Sequence, residues 1–328
     1  MPTRRRLLLA LGAGLLASPF AGRAQQTAKI PHIGYLNIES AGVNGVFLDA
    51  LKEGLRELGY VDGKNIAIDV RWAEGFAPAL PELAAKLATE KPAAIITTCI
   101  PSTRAAKRAT GTIPVVMSVD GDPVAAGLVA SLARPGANVT GTSTLFDQLI
   151  PKWLELLKTA VPNVRDFAIL RNPANLVDPY FWARFEAAAQ MLGVKVLPFD
   201  ASVPAELDGA FAEMAKQRVG ALVIMTEGFL TSQAQRVVPL ANRYKLPAIY
   251  GFREFAEAGG MMSYGLSYRD YYKGVARYVD AVLKGAKPAD LPVEQPTRIE
   301  LVINTATARK LGVSIPQQLL VRADRVIE

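Results

Sequence analysis

Polar side chains that could bind a small molecule directly follow predicted β-strands at several places in the chain. The carboxyl ends of parallel strands share one edge of a sheet, and ligands bind beyond that edge. The candidate ligand-binding residues at such positions are Asn37, Ser40, Thr98, Ser102, Thr103, Asp120, Asn172, Glu227, Phe229, Tyr250 and Arg253. Their hydroxyls, amides, carboxylates, aromatic rings and guanidinium are groups that recognise a small polar solute.

The segment Ile100-Pro101-Ser102-Thr103 joins a predicted strand to a predicted helix. Backbone N–H groups at the amino end of a helix are partially positive, so they attract an anion such as a carboxylate. The hydroxyls of Ser102 and Thr103 could complete such a site. Alternatively, Ser102 simply caps the helix, and the sequence leaves both interpretations open.

Two carboxylates, Asp120 and Asp122, follow the fourth predicted strand. Asp120 could pair with the ammonium group of a ligand, or it could have a purely structural role. Asp122 precedes Pro123, which is more typical of a residue that organises a turn and caps the next helix.

Two further loops contribute polar candidates. The loop after the first strand contains Asn37, Glu39 and Ser40, and one contact to the ligand is expected from it without a choice among the three. In the second half of the chain, Asn172 and Glu227 could hydrogen-bond a ligand. A turn at Asn172 explains that residue equally well.

Aromatic and charged side chains end two strands of the second half. Phe229 could stack on a ligand ring, and Tyr250 is a plausible ligand contact. Arg253 could bind the ligand directly, or it could form an internal ion pair with Glu254 that shapes the loop.

The chain has one histidine, His32, and one cysteine, Cys99. Such a chain cannot easily build a Ser-His-Asp triad or a Cys/His zinc site, and it has no G-x-x-x-x-G-K-[ST] phosphate loop. No catalytic residue, metal or cofactor is therefore predicted. An intramolecular disulfide is excluded because Cys99 has no partner.

Residues 1–24 have the pattern of an export signal that is cleaved after Ala24. Arg4, Arg5 and Arg6 precede an apolar run, and Gly22-Arg23-Ala24 offers small residues to a signal peptidase. The run is too short to span a bilayer, and no cysteine follows it to carry a lipid. The arginines also resemble the twin-arginine pattern. We therefore expect a mature protein that is free in the periplasm and not anchored to a membrane.

Removal of this segment lowers the formal net charge from +7 to +3, because the segment contains four arginines and no acidic residue. A small positive charge spread over about 300 residues gives no basis for binding nucleic acid. A transcriptional regulator of the sugar-repressor kind would need an N-terminal helix-turn-helix, but residues 1–24 have the pattern of an export signal instead. This class of protein is therefore not favoured.

Short apolar runs alternate with longer amphipathic ones, which predicts strands and helices in turn. Strands buried on both faces and separated by helices are typical of parallel sheets, and about 300 residues exceed one core. We predict an α/β fold with two doubly wound parallel-sheet lobes around a cleft. The N-terminal lobe is predicted at residues 30–142 plus 268–290 and the C-terminal lobe at 143–267. The segment 291–328 is predicted to pack on the second lobe.

The chain resembles the ABC-transporter substrate-binding proteins of the tryptophan/tyrosine-binding type, and the order and spacing of its motifs carry the resemblance. These motifs are AGRAQQ (21–26), IGYL (33–36), GLRELGYVDGK (54–64), RWAEG (71–75), GDPVAAGL (121–128), LARPGANVTG (132–141), REFAEAGGMMSY (253–264), KPADLPVEQP (287–296) and ELVINT (300–305).

The resemblance implies a type I periplasmic-binding-protein fold that captures a small solute between closing lobes. It implies an aromatic amino acid or a related carboxylate as ligand, and delivery to a permease and ATPase pair. It implies no chemistry on the ligand. The alternative function is an exported α/β enzyme acting on a small molecule.

Overall fold

The computed structural model describes residues 30–144, 146–175, 178–296 and 298–328. The predicted export signal at 1–24 lies outside the described residues. Residues 31–328 form one compact unit that contains two β-sheets. No helix in the described part of the chain has both the length and the apolar character that crossing a membrane requires.

The first sheet has five parallel strands in the order β2-β1-β3-β4-β5. They are β1 (His32–Asn37), β2 (Ala67–Trp72), β3 (Ala94–Thr97), β4 (Val115–Asp120) and β5 (Val139–Thr144). The connecting helices are α1 (Ala41–Glu57), α2 (Leu80–Thr89) and α3 (Ile100–Ala109). The central strands are buried on both faces, which explains their continuous apolar sequences.

The second sheet has seven strands in the order β12-β11-β10-β9-β8-β6-β7. They are β6 (Asp166–Arg171), β7 (Lys195–Asp200), β8 (Ala221–Ile224), β9 (Ala248–Phe252), β10 (Met262–Leu266), β11 (Glu300–Asn304) and β12 (Arg325–Ile327). All neighbouring strands are parallel except β10 and β11, which are antiparallel.

Nine α-helices follow β5 in the described chain, and all but one of them pack around the second sheet. They are α4 (Ile150–Ala160), α5 (Asp178–Leu192), α6 (Leu207–Lys216), α7 (Gly228–Ser232), α8 (Ala234–Arg243), α9 (Arg253–Glu257), α10 (Tyr268–Leu283), α11 (Thr305–Lys310) and α12 (Gln317–Arg322). The exception is α10, which packs along α1 of the first lobe. Gly54 makes this approach possible, because a Cβ atom there would lie 2.9 Å from the Cα of Lys273.

The chain passes between the lobes after β5, after β10 and again before β11. The last passage runs beside β5, where Ser143 N donates to the carbonyl of Glu294 at 3.0 Å and Glu294 N donates to that of Gly141 at 3.0 Å. The predicted α/β class with two lobes of largely parallel sheet is confirmed. The antiparallel β11 is not predicted from the sequence, because an apolar run does not show the direction in which its strand pairs with a neighbour.

Candidate ligand-binding site

A cavity of about 190 Å³ lies where the carboxyl edges of the two sheets face each other. The first lobe contributes the segments after β1 and β3, the ends of β4 and β5, the segment after β5, and the helices α1 and α10. The second lobe contributes the segments after β6 and β8, the helix α5, and the ends of β9 and β10. Residues far apart in the sequence therefore share one small volume.

Aromatic rings form much of the cavity wall. They belong to Phe47, Phe146, Phe181, Phe252, Tyr268, Tyr271 and Tyr272. Phe47 stacks on Tyr272 with ring centres 5.3 Å apart and an angle of 17° between the planes. Phe252 meets Phe146 edge to face at 5.3 Å. Such a wall favours a flat aromatic group, because aromatic rings attract one another in offset-stacked and edge-to-face arrangements.

Asp120 places a buried carboxyl group at the end of β4. Its Oδ1 accepts hydrogen bonds from the hydroxyl of Thr144 at 3.0 Å and from the backbone N–H of Phe146 at 3.2 Å. Burial outweighs these bonds and raises the pKa of Asp120 to about 6. A cationic partner in the cavity would therefore stabilise the ionised form of Asp120.

Glu227 supplies a second buried carboxyl group from the other lobe. It caps α7 by accepting from the backbone N–H groups of Phe229, at 3.0 Å, and Leu230, and Asn172 Nδ2 donates to it at 3.3 Å. Burial raises its pKa to about 7. Burial also raises the pKa of Glu39, the third acidic residue of the wall.

None of the described residues that line the cavity is a lysine, arginine or histidine. Three carboxyl groups without a basic neighbour make the cavity favourable for a cation. Within the described structure, Thr98 Oγ1, Thr226 Oγ1 and Asn44 Oδ1 are also buried with no hydrogen-bond partner. Buried polar atoms are usually satisfied, so the two threonine hydroxyls are available to a polar ligand, whereas Asn44 Oδ1 lies against Gly228.

The hydroxyls of Ser102 and Thr103 lie behind the cavity rather than on its wall. Cys99 caps α3, since Ser102 N donates to its Sγ at 3.4 Å and Cys99 N donates to Ser102 Oγ at 3.2 Å. Thr103 Oγ1 is 2.7 Å from Thr97 Oγ1. The wall at this helix end is formed by Cys99, Ile100 and Pro101, and Ser102 takes part in the cap as the N3 residue.

Two of the predicted amides also lie behind the cavity wall rather than on it. Asn37 is fully buried and accepts from Glu39 N at 2.9 Å. Asn172 positions Glu227 and accepts from Ser202 Oγ at 2.9 Å. Ser40 precedes α1 without a side-chain capping bond and is absent from the wall.

The remaining predicted residues lie further away. Phe229 and Tyr250 are 2% and 1% exposed and belong to the core of the second lobe, where Tyr250 stacks on Phe255 at 4.8 Å. Arg253 pairs with Glu300 at 3.0 Å and Asp270 at 3.2 Å, beside a separate cavity. Of the predicted set, the structure brings Thr98, Asp120 and Glu227 together on the wall.

A group outside the cavity also has metal-ligand chemistry. His32, Asp69 and Glu90 hold potential ligand atoms within 4.8 Å of one another. The guanidinium of Arg71 contacts Asp69 at 2.6 Å and Glu90 at 2.9 Å. The cluster is thereby a partly exposed ion-pair network, and it is not assigned as a metal centre.

The family model for the ABC transporter substrate binding protein matches residues 42–327. The chain belongs to this family. It is 30% identical over 268 residues to a tyrosine-binding protein of Clostridioides difficile, which spans 80% of this chain and 77% of that protein.

Two solved structures add to this comparison. The ABC domain from Streptococcus pneumonia in complex with L-Trp is 28% identical, with a TM-score of 0.70 over 90% of this chain and 99% of that chain. A ligand-free, open structure of a substrate binding protein with adhesive properties from Clostridium difficile is 25% identical. Its TM-score is 0.57 over 91% of this chain and 99% of that chain.

The aromatic wall of this substrate-binding protein was not predicted from the sequence. The tyrosines at 268, 271 and 272 follow the i, i+3, i+4 spacing that puts side chains on one helix face, and this was the available signal. All three tyrosines lie on α10, which begins at Tyr268 because Ser267 caps it by accepting from Asp270 N at 3.1 Å.

Proposed function

We propose that this chain is the periplasmic solute-binding component of an ABC importer and that it captures an aromatic amino acid, such as L-tyrosine or L-tryptophan. The observation that carries the proposal is one cavity with an aromatic wall, three carboxyl groups and no basic side chain among the described residues of its wall. The tyrosine-binding relative and the L-Trp complex support the same ligand class.

The proposed ligand orientation follows from the wall. The ring packs against Phe47, Phe252 and Tyr272, where the aromatic side chains are densest. The ammonium group pairs with Asp120 or Glu227. The carboxylate of the ligand then accepts a hydrogen bond from the hydroxyl of Thr98 at the amino end of α3, where the helix dipole favours negative charge. Closing of the lobes completes the enclosure.

The proposed setting follows from the export signal at residues 1–24 and from the family. The mature protein, cleaved near Ala24, delivers its ligand to a permease and ATPase complex, and it neither binds nucleic acid nor is anchored to the membrane. Replacing Arg4 and Arg5 by lysine should block export if the twin-arginine route is used. Export that is unaffected by this change would indicate the general secretory route.

The direct test is the identity of the small molecule that co-purifies with the protein. The protein should be purified from the periplasm, unfolded in denaturant, and the released molecules identified by mass spectrometry. We expect an aromatic amino acid at close to one molecule per chain. A non-aromatic solute would overturn the ligand class. Conversion of added L-tyrosine or L-tryptophan during incubation would favour the alternative, an exported enzyme.

A further inference from the structure

The two lobes touch across the cavity at Asn44 and Gly228. Asn44 lies in the first turn of α1 in the first lobe, and Gly228 opens α7 in the second lobe. A Cβ atom at Gly228 would lie 1.7 Å from Asn44 Oδ1 and 2.7 Å from its Cγ. Both distances are far inside van der Waals contact, so only glycine fits opposite Asn44.

Asn44 is held in this position by a chain of buried hydrogen bonds. Its Nδ2 donates to Asn37 Oδ1 at 3.2 Å, and Asn37 Nδ2 donates to the hydroxyl of Tyr35 at 3.3 Å. Asn37 and Tyr35 are both fully buried. The Oδ1 atom of Asn44 is therefore directed at the second lobe and cannot withdraw without breaking these bonds.

The geometry points to Asn44 and Gly228 as the closure contact of this protein, the pair that sets how near the lobes can come. They are positioning residues, since they determine whether Asp120 and Glu227 can reach one ligand together. This chain superposes better on the L-Trp complex than on the open structure, with TM-scores of 0.70 and 0.57. The inference about affinity rests on the proposed function, whereas the contact itself does not.

A substitution cycle tests the link to affinity. Gly228→Ala should weaken the binding of L-tyrosine or L-tryptophan by about tenfold or more, because the binding-competent closed form becomes rare. Gly209→Ala is the matched control, since it lies in the first turn of α6 with nothing within 4 Å of the added Cβ. It should leave affinity unchanged.

Asn44→Ala distinguishes a clash across the cavity from damage within α7. In the Asn44→Ala background, Gly228→Ala should cost less than about threefold in affinity, because the opposing amide is gone. An equal loss in both backgrounds would overturn the inference. So would full affinity of Gly228→Ala in the native background.

A disulfide tests the contact without any ligand. The 2.7 Å distance from a Cβ at Gly228 to Asn44 Cγ puts the two Cβ atoms in the range of about 3.5–4.5 Å that disulfides adopt. In the Asn44→Cys/Gly228→Cys variant, added oxidised glutathione should take up two electrons and two protons per chain as the bond forms. The cross-link is sought in a Cys99→Ser background, because Cys99 lines the same cavity and could pair with either new thiol. Mass spectrometry of a tryptic digest would show the cross-link, and each variant that carries one of the two new cysteines is a control.

The affinity measurements and the disulfide test together separate the closure contact from the proposed function. A cross-link in a protein that binds neither L-tyrosine nor L-tryptophan would leave the closure contact standing and refute the ligand class. Absence of the cross-link in a folded double-cysteine variant would overturn the closure contact, whatever the ligand.

Discussion

Asp120 and Glu227 line the same cavity from different lobes, the first at the end of β4 and the second at the amino end of α7. Burial raises the pKa of Asp120 to about 6 and that of Glu227 to about 7. An ammonium group placed between the lobes would offset the cost of ionising both. This relationship makes ligand binding dependent on pH.

Affinity for an aromatic amino acid should rise with pH. At about pH 5 both carboxyl groups are mostly protonated and do not pair with an ammonium group, whereas near pH 8 both are ionised. Calorimetric titration should show at least about tenfold tighter binding at the higher pH. The Asp120→Asn/Glu227→Gln variant should bind weakly with a flat profile. A flat profile in the native protein would contradict this assignment.

The stability of the ligand-free protein should depend on the same two groups in the opposite sense. Their folded pKa values lie above the ordinary 3.8 and 4.5. Their contribution to stability is therefore fully present below about pH 4 and lost as pH rises through about 6 to 7. In thermal melts, the Tm of Asp120→Asn/Glu227→Gln relative to the native protein should increase over this window. An unchanging difference would mean that the two pKa values are not raised.

Phe47→Leu should reduce affinity more than stability. Phe47 stacks on Tyr272 and contacts Phe252 and Tyr268 at the cavity wall. Loss of ring packing should weaken binding by about three- to tenfold, which corresponds to about 0.5–1.5 kcal/mol. Phe211→Leu is the control, because Phe211 is fully buried and packs on Tyr244 away from the cavity. It should lower the Tm and leave affinity intact.

Thr98→Val and Ser102→Ala should separate binding from capping. Thr98 Oγ1 is buried at the wall without a partner among the described residues, so its loss should weaken binding by about fivefold or more. Ser102 is fully buried in the cap of α3. Its loss should cost about 1 kcal/mol of stability with little change in affinity. Denaturant unfolding and calorimetry on both variants would show whether the roles are reversed.

The sequence was sufficient to predict the strand ends to within a few residues, and the segments expected beyond β3 and β4 contain two residues of the cavity wall. Thr98 directly follows β3, and Asp120, which was expected in the loop after the fourth strand, is the last residue of β4. The sequence places Tyr250 at a strand end, but β9 continues to Phe252. Phe252 therefore lies at the edge of the sheet and lines the cavity, while Tyr250 stays in the core.

Other features depend on contacts between distant segments, which local patterns do not encode. Phe47 and Tyr272 are 225 positions apart and meet only because α10 returns to pack along α1. The contact between Asn44 and Gly228 forms between lobes. Apolar runs bounded by turn residues predict strands well, but they do not reveal which helix crosses to the other sheet or which strand runs antiparallel.

Calorimetric titration of the mature protein, refolded after removal of co-purified molecules, tests the central claim most directly. L-tyrosine and L-tryptophan should be titrated beside their analogues without the amino group, 3-(4-hydroxyphenyl)propionate and indole-3-propionate. Because the cavity wall carries carboxyl groups and no basic side chain among its described residues, we predict one-site binding of an aromatic amino acid. The matching acid should bind at least about a hundredfold more weakly. Binding of neither amino acid, or equal binding of the acid, would contradict the account.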